Sequence, residues 1–312
     1  MRILNKFITK LQFLALSLDR RIATLDTEKK DNDAGFLKWR NWENVASKWD
    51  VYTSPFRPSE GDINNYERIL KKLYKKEKIL ILGSTPELRD ICVKTNARVI
   101  VADFSSSMIK EMRRFSENSS AWREKWVIGD WLSLNNFFEN NYFDVILGDL
   151  VLRNIEKEKQ EKFLYIVSKL LTNKGFFITR IHFINEDLLK SDANFIIKDA
   201  FDKYLFWGQR LLEDLITSRL FDKNTNFDTK EINKNSFFAD VNDYLRKSAR
   251  NEEEKFILKN ILKKWGGKMT WTQRTSKEID DLLANYFTIR DLKIAFDYQD
   301  SEFYPVYLLE KR

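Results

Sequence analysis

The chain has 312 residues, which allows one large domain or two modest ones. Hydrophobic residues make up 43% and aromatics 14%, with four prolines and nine glycines, so a disordered or fibrous chain is excluded and a well-filled core is within reach. The net charge is +7, yet charged residues reach 32% with both signs interspersed, so the excess reads as a solvated surface that admits a nucleic-acid partner without favouring one. A single cysteine, Cys92, excludes an internal disulfide. With one histidine, His182, it cannot build a His/Cys zinc site. There is no run of about 20 apolar residues to span a bilayer. Met1 to Leu18 is basic and apolar, but Lys6 and Lys10 break it, leaving too short a stretch for a signal-peptide core. The expectation is a soluble, cytoplasmic protein; a cleaved transit peptide is the other reading of that N-terminus.

In chain order, Ile3, Phe7, Leu11, Leu14, Leu18, Ile22 and Leu25 fall at three- and four-residue steps and predict an amphipathic helix over 3–25. Residues 26–35 are polar and read as a linker. An aromatic stretch follows, with Trp39, Trp42, Trp49 and Tyr52 as core candidates, and leads into Ser54-Pro55-Phe56-Arg57-Pro58-Ser59. Ser59 and Asp62 have capping-box spacing for a helix with Ile63, Tyr66, Ile69, Leu70 and Leu73 on one face. Lys78–Gly83 is a continuous apolar run, as in a strand buried on both faces. Pro86 then opens a helix capped by Thr85. Ala97–Asp103, Lys125–Gly129 and Tyr142–Gly148 predict strands two to four, with a helix capped by Ser105 or Ser106 after the second. Glu156–Leu171 predicts a helix stopped by Asn173-Lys174-Gly175, and Gly175–Phe183 the fifth strand. Helices are expected at 193–221, 236–248 and 252–265, the last stopped by Gly266-Gly267. Ser276–Asn285 is a further helix. Phe287–Tyr298 and Glu302–Leu309 are strands joined by a short polar turn at Gln299–Ser301 into a hairpin.

Strands alternating with helices at this spacing give βαβ units and a Rossmann-like α/β fold: seven strands, mostly parallel, with a terminal antiparallel hairpin, N-terminal helices and a helical cap insertion. The expected divisions are an N-terminal helical extension and lid (1–76), a Rossmann-like core (77–189), a helical cap over the crevice (190–270) and the end of the core (271–312).

The ligand crevice of such a sheet lies at the carboxyl ends of the strands. After strand one come Gly83-Ser84-Thr85-Pro86-Glu87-Leu88, a glycine turn leading to a helix N-terminus. Asp103, followed by Phe104, stands 20 positions beyond Gly83, the spacing of an acid that accepts from both hydroxyls of a ribose. Asp130 and Trp131 follow strand three, a carboxylate and a flat indole suited to an adenine. Asp149 follows strand four. His182, after strand five, is a candidate general base. Arg57 and Arg153 could hold an anionic substrate group, with Arg57 in a lid. A Gly-x-Gly-x-x-Gly, a Gly-Lys-Ser/Thr loop and a Pro-Pro-aromatic tetrapeptide are missing, and Cys92 sits on a helix away from the strand ends.

The run from Ile79 to Phe183 resembles the nucleoside-binding core of class I S-adenosylmethionine-dependent methyltransferases. Leu82-Gly83-x-Thr85-Pro86-Glu87-Leu88, Gly129-Asp130-Trp131 and Arg57-Pro58-Ser59-x-x-Asp62 are similar to a group of bacterial methyltransferases with little assigned function. Ser276 to Leu309 is similar to the terminal helix and hairpin of that fold. The likeness covers about 200 residues, outside the first 35 and the insertion. It departs from the usual first motif at Ile81, which replaces an acid, and at Thr85 and Glu87, which replace glycines. The resemblance implies S-adenosylmethionine as cofactor. Gly83, Ser84, Thr85 and Glu87 would lie at its methionine end, Asp103 and Phe104 at the ribose, Asp130 and Trp131 at the adenine, and Asp149 beneath the sulfonium. The expected acceptor is a small molecule or peptide. RNA methyl transfer and a catalytically silent binding scaffold are the alternatives.

Overall fold

The computed structural model describes residue 45 and residues 49–265 and 271–312. The predicted helix at 3–25, the linker, Trp39, Trp42 and the Gly266-Gly267 stop lie outside the described residues. Seven strands form one sheet: β1 (Lys78–Leu82), β2 (Arg98–Asp103), β3 (Glu124–Ile128), β4 (Phe143–Asp149), β5 (Leu171–Arg180), β6 (Phe287–Lys293) and β7 (Val306–Lys311). Their order is β3-β2-β1-β4-β5-β7-β6. β1 to β5 are parallel, and β7 runs antiparallel between β5 and β6. The Rossmann-like architecture read from the sequence is the one found.

β1 shows why its apolar run had no polar alternation. Leu80 and Leu82 enter one core cluster with Ile146 and Phe177, while Ile79 and Ile81 enter the other with Val101, Val145 and Leu147. Both faces are covered, so every position is apolar. On the Ile81 face lie α1 (Glu60–Lys72) and α2 (Pro86–Val93), which contribute Tyr66, Ile69, Leu70, Leu88 and Ile91. On the other face lie α4 (Gln160–Leu170) and α9 (Ser276–Ala284), with Phe163, Leu164, Val167, Ile279 and Leu283. The helix α3 (Ser106–Glu111), capped by Ser105, follows β2. The capping box at Ser59 and Asp62 forms in both directions, and a second forms at Thr275 and Glu278.

Three predicted boundaries differ. The helix before β5 starts late, at Gln160, and ends at Leu170; Asn173-Lys174-Gly175 belongs to an irregular stretch of β5, with Lys174 at φ 63°. The helix expected over 193–221 is two, α5 (Ala193–Tyr204) and α6 (Gln209–Lys223), broken at Gly208, whose φ of 101° no helix accommodates. The terminal strands are shorter than expected, and residues 294–305 join them in place of a tight turn. That connection has bonds of its own: Asp297 accepts from Gly61 N (2.7 Å) and Ser59 Oγ (2.8 Å), and Asp300 takes both Nε and Nη2 of Arg219.

The insertion also carries α7 (Lys234–Lys247) and α8 (Glu252–Lys264). It is not wholly helical, since isolated β-bridges pair Thr225 with Ile232 and Glu231 with Thr272. Its core is separate from the two sheet clusters and takes in Trp49, Tyr52 and Phe56 from the strap that precedes α1. Phe56 packs against Trp265 at 4.5 Å and Trp271 at 5.5 Å between ring centroids.

Candidate active site

At the end of β1, Gly83 turns with φ 86° and donates its N–H to Ala102 O at 2.9 Å. Trp131 Nε1 donates to the same carbonyl at 2.8 Å, and the indole edge lies 3.6 Å from where a Cβ on Gly83 would stand. The half-buried indole is thereby fixed against the turn. Thr85 occupies the N-cap of α2 without a side-chain cap bond.

Glu87, in the first turn of α2, is buried. Its Oε1 accepts from Arg57 Nε at 2.5 Å and from Trp49 Nε1 at 3.4 Å, while Oε2 is buried without a partner among the described residues. Burial raises its pKa above the ordinary carboxylate value, against the lowering effect of Arg57. The strap at 49–59 therefore closes onto the first crevice loop through Arg57 and Trp49.

Asp103, at the end of β2, is also buried; Oδ2 accepts from Ser84 Oγ at 2.8 Å and Oδ1 from Ser105 N at 2.9 Å. Burial pushes its carboxyl up to about 6, against the pull of those two donors. Phe104 beside it is half-buried. Asp130 is exposed and caps the short 3-10 helix Trp131–Asn136 through Leu132 N at 2.9 Å. The structure thus brings Gly83, Ser84, Asp103 and Trp131 together, with Glu87 on the helix that follows. Asp130 stands at the solvent edge.

Asp149 has a partner that the sequence did not reveal. Arg180, at the end of β5, donates Nε to its Oδ1 at 2.8 Å and Nη2 to its Oδ2 at 3.0 Å. Arg180 Nη1 donates to Asp62 Oδ2 at 2.7 Å. Tyr66 OH donates to Gly148 O at 2.7 Å and accepts from Arg180 N at 2.6 Å. Burial pulls the guanidinium's pKa down, but Asp149 and Asp62 more than reverse this, so Arg180 is held charged. Asp149 therefore shares a guanidinium with Asp62 and is no bare carboxylate.

His182 and Arg153 sit in a second cluster, at the carboxyl ends of β5 and β4 and beneath α6. The His182 ring stacks on Tyr304 at 4.4 Å and 26°. Its Nε2 lies 3.1 Å from Asp222 Oδ1, and Nδ1 is buried without a hydrogen-bond partner among the described residues. Burial lowers the imidazole's pKa and Asp222 opposes it. Tyr304 OH and Ser218 Oγ are 2.5 Å apart. Arg153 lies over the Trp271 ring at 4.2 Å, and its pKa is pulled down by burial. Asp222, Tyr304, Ser218 and Arg180 escaped the sequence reading. Arg180 alone had a local signal, being a charge at the end of a buried strand.

Among the described residues no group of three or more His, Cys, Asp or Glu could hold a metal ion, and no helix is long and apolar enough to cross a membrane.

No curated protein matches the sequence. A solved Pyrococcus horikoshii protein is 14% identical, with 84% of this chain and 94% of that one covered and a TM-score of 0.50. A Rhodobacter sphaeroides protein, provisionally named a Zn-dependent alcohol dehydrogenase, is 14% identical over 88% and 98% of the two chains with a TM-score of 0.54. The N-methyltransferase NodS of Bradyrhizobium japonicum, solved with S-adenosyl-l-homocysteine, is 12% identical over 88% and 98%, at a TM-score of 0.45. Such distant likenesses speak to the fold alone. By sequence, residues 83–179 match the family model described as a methyltransferase domain, and that stretch runs from the Gly83 turn through β5 to the residue before Arg180.

Proposed function

We propose that the chain transfers a methyl group from S-adenosylmethionine to a small-molecule or peptide acceptor. One observation carries the reading: inside the segment that matches methyltransferase domains, the Gly83 turn stands beside a buried carboxylate, Asp103, at ribose spacing. The residues present fit the cofactor. Glu87 keeps a buried carboxylate oxygen without a donor, which suits an ammonium group. Asp103 retains lone pairs after Ser84 and Ser105 are served, and these suit two hydroxyls. Trp131 supplies a flat face beside the turn.

When bound, the cofactor supplies a methyl carbon activated by its sulfonium. The chain's part is to position the reactants and exclude water. The strap, held by Arg57 on Glu87, covers the methionine end. Asp149, Arg180 and Asp62 form a rigid polar wall below it, one guanidinium between two carboxylates. Burial favours the neutral imidazole of His182, and its unpartnered Nδ1 is available to take a proton from an acceptor hydroxyl or amine.

Calorimetric titration with S-adenosylmethionine tests this. Loss of hydrogen bonds to a charged group is worth about 1.5–3 kcal/mol, so Asp103→Ala is expected to bind at least about tenfold more weakly. Because the Asp103 carboxyl sits at about 6, wild-type affinity should also fall as the pH drops below that value. A variant that binds as tightly as wild type sinks the assignment.

A further inference from the structure

Among the described residues, the other buried arginines meet carboxylates. Arg180 meets Asp149 and Asp62, Arg89 meets Glu124 and the carbonyl of Ile109, and Arg219 meets Asp300 and Asp199. Arg153 is the exception. It is 5% exposed, yet its Nε and Nη1 have no acceptor and it forms no ion pair among the described residues. Tyr304 is its hydrogen-bonding neighbour, and Asp222 acts on it electrostatically without pairing to it. Trp265 Nε1, in the same aromatic box, is a further buried N–H without an acceptor. The guanidinium is held in place regardless: its Cζ lies 4.2 Å from the centre of the Trp271 ring and 5.7 Å from that of Phe56, and the Arg153 carbonyl accepts from Thr272 N at 2.9 Å.

A buried guanidinium with no carboxylate partner is unfavourable, and the ring contacts and Tyr304 leave its Nε and Nη1 unserved. The residue stands just beyond β4 and close to His182, where an acceptor would meet the transferred methyl. We infer that Arg153 is an oxyanion site for the acceptor, which is a small molecule carrying a carboxylate or a phosphate ester. Arg153 is 5% exposed, which favours a small anion over a group fixed on the surface of a macromolecule, and the rings of Trp271 and Phe56 strengthen its attraction to an anion by excluding water. The word acceptor rests on the methyl-transfer reading; the anion site rests on this geometry alone.

Thermal unfolding of the full chain tests it, with sodium acetate and inorganic phosphate as probes and sodium chloride at equal ionic strength as control. Both Arg153→Met and Arg153→Gln are compared with wild type. If the charge is kept for a ligand, Arg153→Met removes an unpaired ion and raises the melting temperature, by roughly 2–4 °C or more. Acetate or phosphate should raise the wild-type value beyond chloride, and neither should do so for the variants. The stronger of the two identifies the oxyanion as carboxylate or phosphate. A lower melting temperature for Arg153→Met, or a wild type that responds to both anions no more than to chloride, overturns the inference. Absence of S-adenosylmethionine binding with the anion response intact would instead remove the methyl-transfer reading and leave the site.

Discussion

At Glu87, burial raises the carboxyl's pKa while Arg57, at 2.5 Å, lowers it. The arginine suits this place because its guanidinium bonds Glu87 through Nε and lies 5.9 Å from the centre of the Trp49 ring. A lysine could supply the charge but neither the planar face nor the second set of N–H groups. Arg57→Lys should therefore leave the chain folded and weaken S-adenosylmethionine by about tenfold, the loss of one hydrogen bond to a charged partner. Calorimetry of the purified variant checks this. If affinity and turnover both survive, the strap serves the fold and not the ligand. Asp103 and Asp149 show the same contrast between position and environment. Both end buried strands, but Asp103 is served by neutral donors and Asp149 by a guanidinium it shares with Asp62, and a sequence carries no mark of that difference.

Among the elements, the strands and most helices were legible because their causes are local. A short apolar run between polar turns is a buried strand, and Ser59 or Thr275 followed three places later by an acid is a helix start. Gly208 was not read as a break because apolar residues continue on both sides of it, from Phe201 and Leu205 to Leu212. Beyond it α6 is buried nearly all round, so its periodicity is weak and says little about where it begins. The ties that build the candidate site were hidden for another reason. Arg180 meets Asp62 across 118 positions, and His182 meets Asp222 across 40, distances over which one sequence holds no pairing signal. The break itself makes a prediction. A Cβ at Gly208 would meet nothing within 4 Å, so Gly208→Ala has no steric clash with neighbours and suffers only from its φ of 101° and ψ of 146°. That backbone region costs a non-glycine residue about 1–3 kcal/mol. Urea denaturation should show a loss of that size, and a change within a few tenths would mean that the α5–α6 corner relaxes freely.

Across the whole molecule, strap, insertion and sheet are tied by a small set of buried polar contacts. Ser218 meets Tyr304, Arg219 meets Asp300, and Asp214 on α6 holds the strap through Thr53 N (2.7 Å) and Thr53 Oγ1 (3.0 Å) while accepting from Lys264 on α8 at 2.6 Å. Asp214 is fully buried, and burial pushes its carboxyl up to about 6, against the lowering effect of Lys264. In the unfolded chain the same carboxyl titrates near 4. Between these values the folded protein holds a proton that the unfolded chain does not. The contribution of this group to stability therefore grows as the pH falls from about 6 towards 4, and is lost as the pH rises through 6. Asp214→Asn removes the titration while keeping the shape. Its stability deficit relative to wild type should widen, by about 1–3 kcal/mol, between pH 7.5 and pH 4.5. Paired urea denaturations at the two pH values measure the gap. A deficit that narrows on acidification would mean that Lys264 and Thr53 hold Asp214 charged and that the clasp between strap and insertion is at its strongest near neutrality.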